Sequence, residues 1–229
     1  CHALFREKRK DVSKMSIKDK YYVESIKKHE THEWLLHKHY LKRLPSISYC
    51  FGIFQYDLVG VITFGTSANY MFNDGKCIFN DYEVYTIELN RLCVDDGLPK
   101  NVLSFFVSQS LKMLPKPCCI FSYADPNQNH HGYIYQATNW LYTGRSTGKT
   151  RYTFEDGSTF DLNRFGDNKG KIVKKEKMLP THRYIYFHGS KKEKKQMHKS
   201  LKMKLYDYPK GQNERYDSSY KPTTQTKLF

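Results

Sequence analysis

From Val84 to Val94 the chain reads Val-Tyr-Thr-Ile-Glu-Leu-Asn-Arg-Leu-Cys-Val, with apolar side chains at roughly every second position, the period of a strand buried on at least one face. Turn chemistry follows directly, from Asp95 to Asn101. Then Val102, Leu103, Phe105, Phe106, Val107, Leu111, Met113 and Leu114 recur mostly at helical spacing until Pro115 stops the run. A strand delivered straight into a helix points to an α/β layer architecture. The start of such a helix carries unpaired N–H groups and the positive end of the dipole, so the junction is a candidate anion site for a phosphate, pyrophosphate or carboxylate. The alternative is an ordinary strand–helix unit with no ligand.

The rest of the chain extends this into a mixed sheet. Tyr21 to Ile26 reads as a first strand, Glu30 to Leu44 as a helix ended by Pro45, and Ser48–Gln55 and Leu58–Phe64 as a hairpin turning at Gln55-Tyr56-Asp57. Gly65 to Asp81 is a long polar loop, of a length that is usually functional or mobile. Pro117 to Asp125 is a further strand, followed by the polar loop Pro126–His131, a short helix from Gly132 to Asn139, and Trp140 to Gly144 as the last strand of the core. Beyond lie a hairpin turning at Asp156-Gly157, a strand from His182 to Phe187, a basic helix from Lys191 to Lys204, and a tail from Tyr206 that runs extended over the surface or stays disordered. The expected division is a charged arm at 1–20, a catalytic core at 21–147 and a basic extension at 148–229. Polar residues gather at two strand ends, around Arg91 and around Asp125, where an open α/β sheet collects its ligands.

Charge selects the partner. Lys and Arg outnumber Asp and Glu by 38 to 23 over 229 residues, a net charge of +15, which favours a polyanion. Nucleic acid is the commonest such partner and an anionic membrane surface its rival. The 19 Tyr and 14 Phe interleaved with these cations suit base stacking as well as a core. The chain holds no apolar run of roughly 18 residues and no signal-type leader, so a soluble protein is expected. The six cysteines form no Cys-x-x-Cys pattern and read as buried thiols of a cytoplasmic protein.

Several stretches together carry a family likeness: His39-Tyr40 with a following proline, Gly60-Val-Ile-Thr-Phe-Gly65, Glu88-Leu-Asn-Arg-Leu92, Asp95 to Asn101 with Ser104, Ser122-Tyr-Ala-Asp125, and His131-Gly-Tyr-Ile-Tyr-Gln-Ala-Thr-Asn139-Trp140 with Thr143-Gly144. In these the chain resembles the GNAT acyltransferase fold and, more closely, the Mom family of phage DNA-modification proteins, over about residues 21 to 145, with His182-Arg183-Tyr184 extending the likeness. The resemblance implies an α/β, GNAT-like mixed sheet flanked by helices, with a basic C-terminal extension. It also implies a transferase that converts adenine in double-stranded DNA to N6-(carbamoylmethyl)adenine or a related adduct, in the cytoplasm of a bacterial host, shielding phage DNA from restriction. A non-catalytic DNA-binding protein and a conventional acetyl-CoA-dependent N-acetyltransferase are the competing classes.

The chemistry must join an exocyclic amine, whose lone pair is delocalised into the purine, to a two-carbon unit. That calls for a base and a dry, oriented pocket. Asp125, beside His130 and His131, is the preferred base or orienting carboxylate and His39 the second. Tyr135 is the acid, because the comparable GNAT helix often presents a tyrosine there, and Arg91 either pairs with Glu88 or holds a ligand anion. The donor is not legible. The GNAT pyrophosphate loop needs glycines where this chain has Leu98-Pro-Lys-Asn-Val-Leu-Ser104, and bulky Val102 and Leu103 speak against acetyl-CoA. Lys100, Asn101, Ser104 and Ser122 remain candidates for a smaller anion. A transition metal such as iron, held by His39, Asp125 and His130 or His131, is the alternative. For DNA, Tyr40, Tyr70 and Tyr123 are stacking candidates, and Arg183, Lys191, Lys192, Lys194, Lys195 and Lys199 are phosphate contacts. The oligomeric state stays open, a homodimer included.

Overall fold

The computed structural model describes residues 16–69, 72–162 and 171–210. Most of the charged arm, Tyr70 and the tail beyond residue 210 lie outside the described residues. Seven strands form one mixed sheet: β1 (Tyr22–Ser25), β2 (Tyr49–Phe54), β3 (Leu58–Gly65), β4 (Tyr85–Val94), β5 (Cys118–Ala124), β6 (Leu141–Arg145) and β10 (His182–His188), in the order β1-β2-β3-β4-β5-β10-β6. A short helix α1 (Ile17–Lys20) precedes β1, and every neighbouring pair of strands is antiparallel except β4 and β5, which the helix α2 (Val102–Lys112) connects. A second, three-stranded sheet contains β7 (Lys149–Phe154), β8 (Thr159–Leu162) and β9 (Ile172–Met178) in the order β8-β7-β9.

The central strands are apolar almost without interruption because both faces of the large sheet are covered. On one face Ile53, Ile62, Phe64, Ile87, Leu89, Ile120, Trp140 and Tyr184 pack with Val102, Phe106, Val107 and Leu111 of α2 and with Tyr135 of α3 (Tyr133–Ala137). On the other, Cys119, Phe121, Ile185 and Phe187 pack with Phe72, Ile78 and Phe79 of the long loop and with Met197 of α4 (Lys191–Ser200). Trp34 and Leu35 cover Val61 and Cys93 separately. The described cysteines are free thiols, and all but Cys77 are buried. Among the described residues no helix is long and apolar enough to cross a membrane.

Two expectations need correction, and one strand was not foreseen. The helix expected over Glu30–Leu44 is a 3-10 turn at Lys28–Thr31 and a π-type turn at Trp34–Lys38, after which His39 is extended. Only Trp34 and Leu35 find a core, while Leu44 is exposed, so nothing apolar holds a helix together past Lys38. Trp140–Gly144 supplies the edge strand β6 but is not the last strand of the core along the chain. β10 enters between β5 and β6, so the division expected at residue 147 does not follow the sheet. The basic stretch Ile172–Met178, which offers no alternation of apolar residues, is β9, paired with β7.

Candidate active site

β4 pairs with β5 only over Tyr85–Glu88 yet runs beside β3 as far as Val94. Past Glu88 the two parallel strands part, and Ser122 spans the opening by donating from Oγ to the Leu89 carbonyl at 2.7 Å. The Tyr135 hydroxyl stands 2.7 Å from the same Oγ. Since the serine's one proton is directed at Leu89, Tyr135 is the donor in this second bond. Burial pushes the Tyr135 hydroxyl up to about 12, so it keeps its proton at neutral pH.

A bulge sets what faces the opening. Asn90 is the unpaired residue between the pairs Phe64↔Leu89 and Thr63↔Arg91. In an unbroken strand, residues three apart point to opposite faces; one extra residue restores Glu88 and Arg91 to the same face. Asn90 also holds the neighbouring loop, donating from Nδ2 to the Ser46 carbonyl at 2.7 Å and accepting from Thr63 Oγ1 at 2.6 Å.

Arg91 is 8% exposed. One guanidinium nitrogen donates to the Asn90 carbonyl at 2.5 Å, while Nε is buried without an acceptor. Among the described residues it forms no ion pair, so the expected pairing with Glu88 is not a direct contact. The two still feel one another. Burial, then Arg43, pulls the Arg91 guanidinium down, against the fields of Tyr40 and Glu88. Burial pushes the Glu88 carboxyl up, against a hydrogen bond from Ser67 and the charges of Arg91 and Lys149.

His39 follows the π-type turn, its N–H bonded to the Trp34 carbonyl at 2.8 Å. Its ring stacks on Tyr40 at 4.5 Å, and Tyr40 meets the edge of His130 at 5.7 Å. Burial, then the charges of Arg91 and His130, lowers its pKa to about 3. Its Nδ1 accepts the Leu41 N–H at 3.1 Å, so in the neutral ring Nε2 carries the proton. His39 therefore presents a donor, and the structure does not support its expected role as second base.

Asp125 caps the 3-10 turn Pro126–Gln128, where its Oδ1 accepts from the Asn127 backbone N–H at 2.9 Å and from Asn127 Nδ2 at 2.6 Å. Its charge opposes the burial that lowers His130, which suits an orienting carboxylate. His131 turns elsewhere, its ring 5.7 Å from that of His182. Among the described residues no three His, Cys, Asp or Glu side chains converge as a metal would require, so the alternative set of His39, Asp125, His130 and His131 is not assembled.

The helix-start candidates stand apart from this cluster. Lys100 and Asn101 are exposed, and Ser104 Oγ donates to the Asn101 carbonyl at 3.0 Å as a helix-start hydroxyl does. Val102 is fully buried in the core, so the crowding expected of it at the helix start is not its role. Of the stacking candidates, Tyr40 lies between two imidazoles, while Tyr123 packs against Phe72 and Phe121 as core. Arg183 is tethered to Thr143, with Nε donating to Oγ1 at 2.9 Å. Lys191, Lys192, Lys195 and Lys199 are exposed on α4, and Lys194 is half-buried above Tyr186.

Two participants escaped the sequence reading. Glu88 was visible only as a partner for Arg91, although a carboxylate in the middle of a buried strand is itself a signal. Ser67, buried in the loop and bonded to Glu88, carries no sequence signal beyond being a polar residue in a long loop.

The chain is similar to known proteins in three respects. The model of the Mom protein family matches residues 20–210. The methylcarbamoylase mom of Escherichia phage Mu is 31% identical over 192 residues, covering 76% of this chain and 77% of that protein. A solved GNAT-family acetyltransferase from Bacillus cereus covers 73% of this chain and 96% of its own, at 13% identity and a TM-score of 0.36.

Proposed function

The chain belongs to the Mom protein family, and on that premise we propose that it is a DNA-modifying transferase that places a carbamoylmethyl group on the N6 amine of adenine in double-stranded DNA, protecting phage DNA from restriction. Arg91 is the observation that carries this reading. A buried guanidinium without an ion pair costs several kcal/mol, and a fold keeps one where a ligand completes it. Facing Glu88, and close to His39 and Tyr40, it suits the amide carbonyl or anionic end of an activated carbamoylmethyl donor.

In the proposed reaction the N6–carbon bond forms as the donor's bond to its leaving group breaks, and N6 gives up one proton. Glu88, its basicity raised by burial, receives that proton. Asp125 orients His130, the Nε2–H of His39 donates to the acceptor or donor oxygen, and Tyr135 supplies a proton to the leaving group. The exocyclic amine lies inside the base pair of a duplex, so the adenine is extruded into the opening between β4 and β5 before reaction. The donor is not acetyl-CoA in this proposal, since Leu98 to Ser104 lack the glycines of a pyrophosphate loop.

The test is mass spectrometry of nucleosides from DNA of cells expressing the protein, with Arg91→Met in parallel. The wild-type chain is expected to yield carbamoylmethylated deoxyadenosine. The variant is expected to yield none, while still binding DNA and staying folded, because among the described residues the removed charge has no ion pair and its own burial is costly. Unmodified DNA from the wild type would leave a DNA-binding protein without catalysis. An N6-acetyl adduct with saturable acetyl-CoA binding would make it a conventional acetyltransferase.

A further inference from the structure

At the end of β6 the chain makes an open groove of about 460 Å³ whose walls carry Arg145, Arg183 and Lys204 and no carboxylate. Among the described residues none of these three cations is in an ion pair. The groove is built rather than incidental. Gly144 adopts φ +85, and a Cβ there would lie 3.0 Å from the Tyr206 ring, so the glycine lets that aromatic lie flat over the strand end. The Tyr206 N–H bonds to the Tyr142 carbonyl at 3.0 Å, and the Tyr208 hydroxyl donates to the Trp140 carbonyl at 2.6 Å, which straps residues 206–208 across β6. Tyr206 is 52% exposed, with Lys204 Nζ 5.4 Å from its ring centroid. Arg183 is held in place by Thr143, and Tyr142 forms the floor with its hydroxyl 2.8 Å from His182 Nδ1.

The groove also adjoins the candidate active site. Arg183 lies 5.5 Å over the Phe72 ring and acts on Tyr123, which in turn feels Glu88. Across the sheet β6 lies two strands beyond β5, roughly 10 Å at ordinary strand spacing, so a ligand in the groove is on the β5 side of the opening between β4 and β5.

We propose that this groove is a strand-holding subsite: it takes a phosphodiester of the DNA strand that carries the target adenine, with Arg145, Arg183 and Lys204 around the phosphate and the exposed face of Tyr206 against a neighbouring base. This rests on the reading that DNA is the substrate. An unpaired cationic cleft attracts phosphate, an aromatic face accepts any base, and an open groove admits a continuous strand. Holding the strand beside the pocket keeps an extruded adenine in place without reading sequence.

The experiment measures DNA affinity against salt concentration for the full chain, for the double variant Arg145→Gln/Lys204→Gln and for Tyr206→Leu. All three substituted positions are largely exposed, and thermal melting checks that each variant is folded. Each lost phosphate contact lowers the slope of log K against log salt by about 0.9, so the double variant, which loses two of the three cations around one phosphate, is expected to bind with a slope smaller by up to about 0.9. Tyr206→Leu is expected to keep the slope and lose about tenfold in affinity for a strand with an unpaired base, as loss of a stacking contact does. An unchanged slope in the folded double variant overturns the groove while leaving DNA as the substrate. Failure of the wild-type chain to bind DNA overturns both. Displacement of the DNA by micromolar AMP would reassign the groove to a free nucleotide and overturn the strand proposal, and tighter binding of RNA than of DNA would do the same.

Discussion

A histidine held neutral in a crowded basic site ties stability to pH. His39 has an ordinary value of 6.5 when the chain is unfolded and about 3 in the fold, with burial the main cause. Between those values the unfolded chain binds more protons than the native one, so stability rises with pH and is lost as pH falls below 6.5 toward the folded value. His130, His182 and His188 are lowered as well, also by burial first, and contribute with the same sign. The His39 share is on the order of a few kcal/mol at most. His39→Gln, which keeps an acceptor for the Leu41 N–H, is expected to flatten the fall of melting temperature on acidification, and an equally steep fall in the variant would show that His39 is not held neutral. At neutral pH Gln also supplies an N–H donor, so modification should largely persist in that variant, whereas His39→Leu, which has no donor, should reduce it.

The bulge in β4 and the loop it grips depend on one close backbone approach. Gly65 ends β3 against the Ser46 backbone, where a Cβ would overlap the carbonyl oxygen and lie 2.6 Å from its carbon. Asn90 bonds that same carbonyl, so the loop carrying Tyr40 to Ser46 is seated on the strand pair that holds Arg91. Gly65→Ala is expected to destabilise by roughly 1–3 kcal/mol and to lower modification, because backbone cannot move aside as a flexible side chain can. Gly97→Ala is the control: it meets nothing within 4 Å, so only its positive φ resists, at a cost of about 1 kcal/mol, and modification should persist. A Gly65→Ala protein with unchanged melting and activity would sink this account of the loop. The elements themselves were legible where periodicity was strong, as in β2, β3, β4, α2 and the hairpin of β7 and β8. The bulge was not, because an extra residue leaves local composition untouched and shows only in the pairing with Thr63 and Phe64. Asp125, Tyr135, His39 and Arg91 were chosen as candidates from their places at strand ends and from the family resemblance. Which of them is charged, neutral or already bonded depended on burial and partners that sequence spacing does not carry. β10 escaped as a core strand because its partners lie far along the chain, His182 opposite Ala124 and Tyr184 opposite Tyr142.

Across the whole molecule, the charge of +15 must be translated into where a polyanion lies. The helix α4 is not a loose basic tail. Ser190 and Glu193 form a capping box at its start, Met197 is fully buried against the sheet, and Leu201 just beyond its end bridges to Phe79. Packing fixes the helix, and the polar side presents Lys191, Lys192, Lys195 and Lys199 to solvent on the sheet face that carries Phe121, which is in register with Glu88. Removing the helix would therefore open the second core and confound charge with stability. Substituting those four lysines by Gln leaves the buried side intact. If all four contact phosphate, the slope of log K against log salt should fall by up to about 3.6, uniformly across DNA sequences, because phosphate contacts carry no base information. Affinity at low salt should weaken most, whereas modification of DNA at saturating concentration should stay near wild type, since none of the four touches the cluster around Arg91. A variant whose slope matches the wild type would show α4 to be a solvated face and shift the electrostatic footprint to the groove at Arg145, Arg183 and Lys204. Loss of modification at saturating DNA would instead show that α4 positions the duplex for chemistry and does more than attract it.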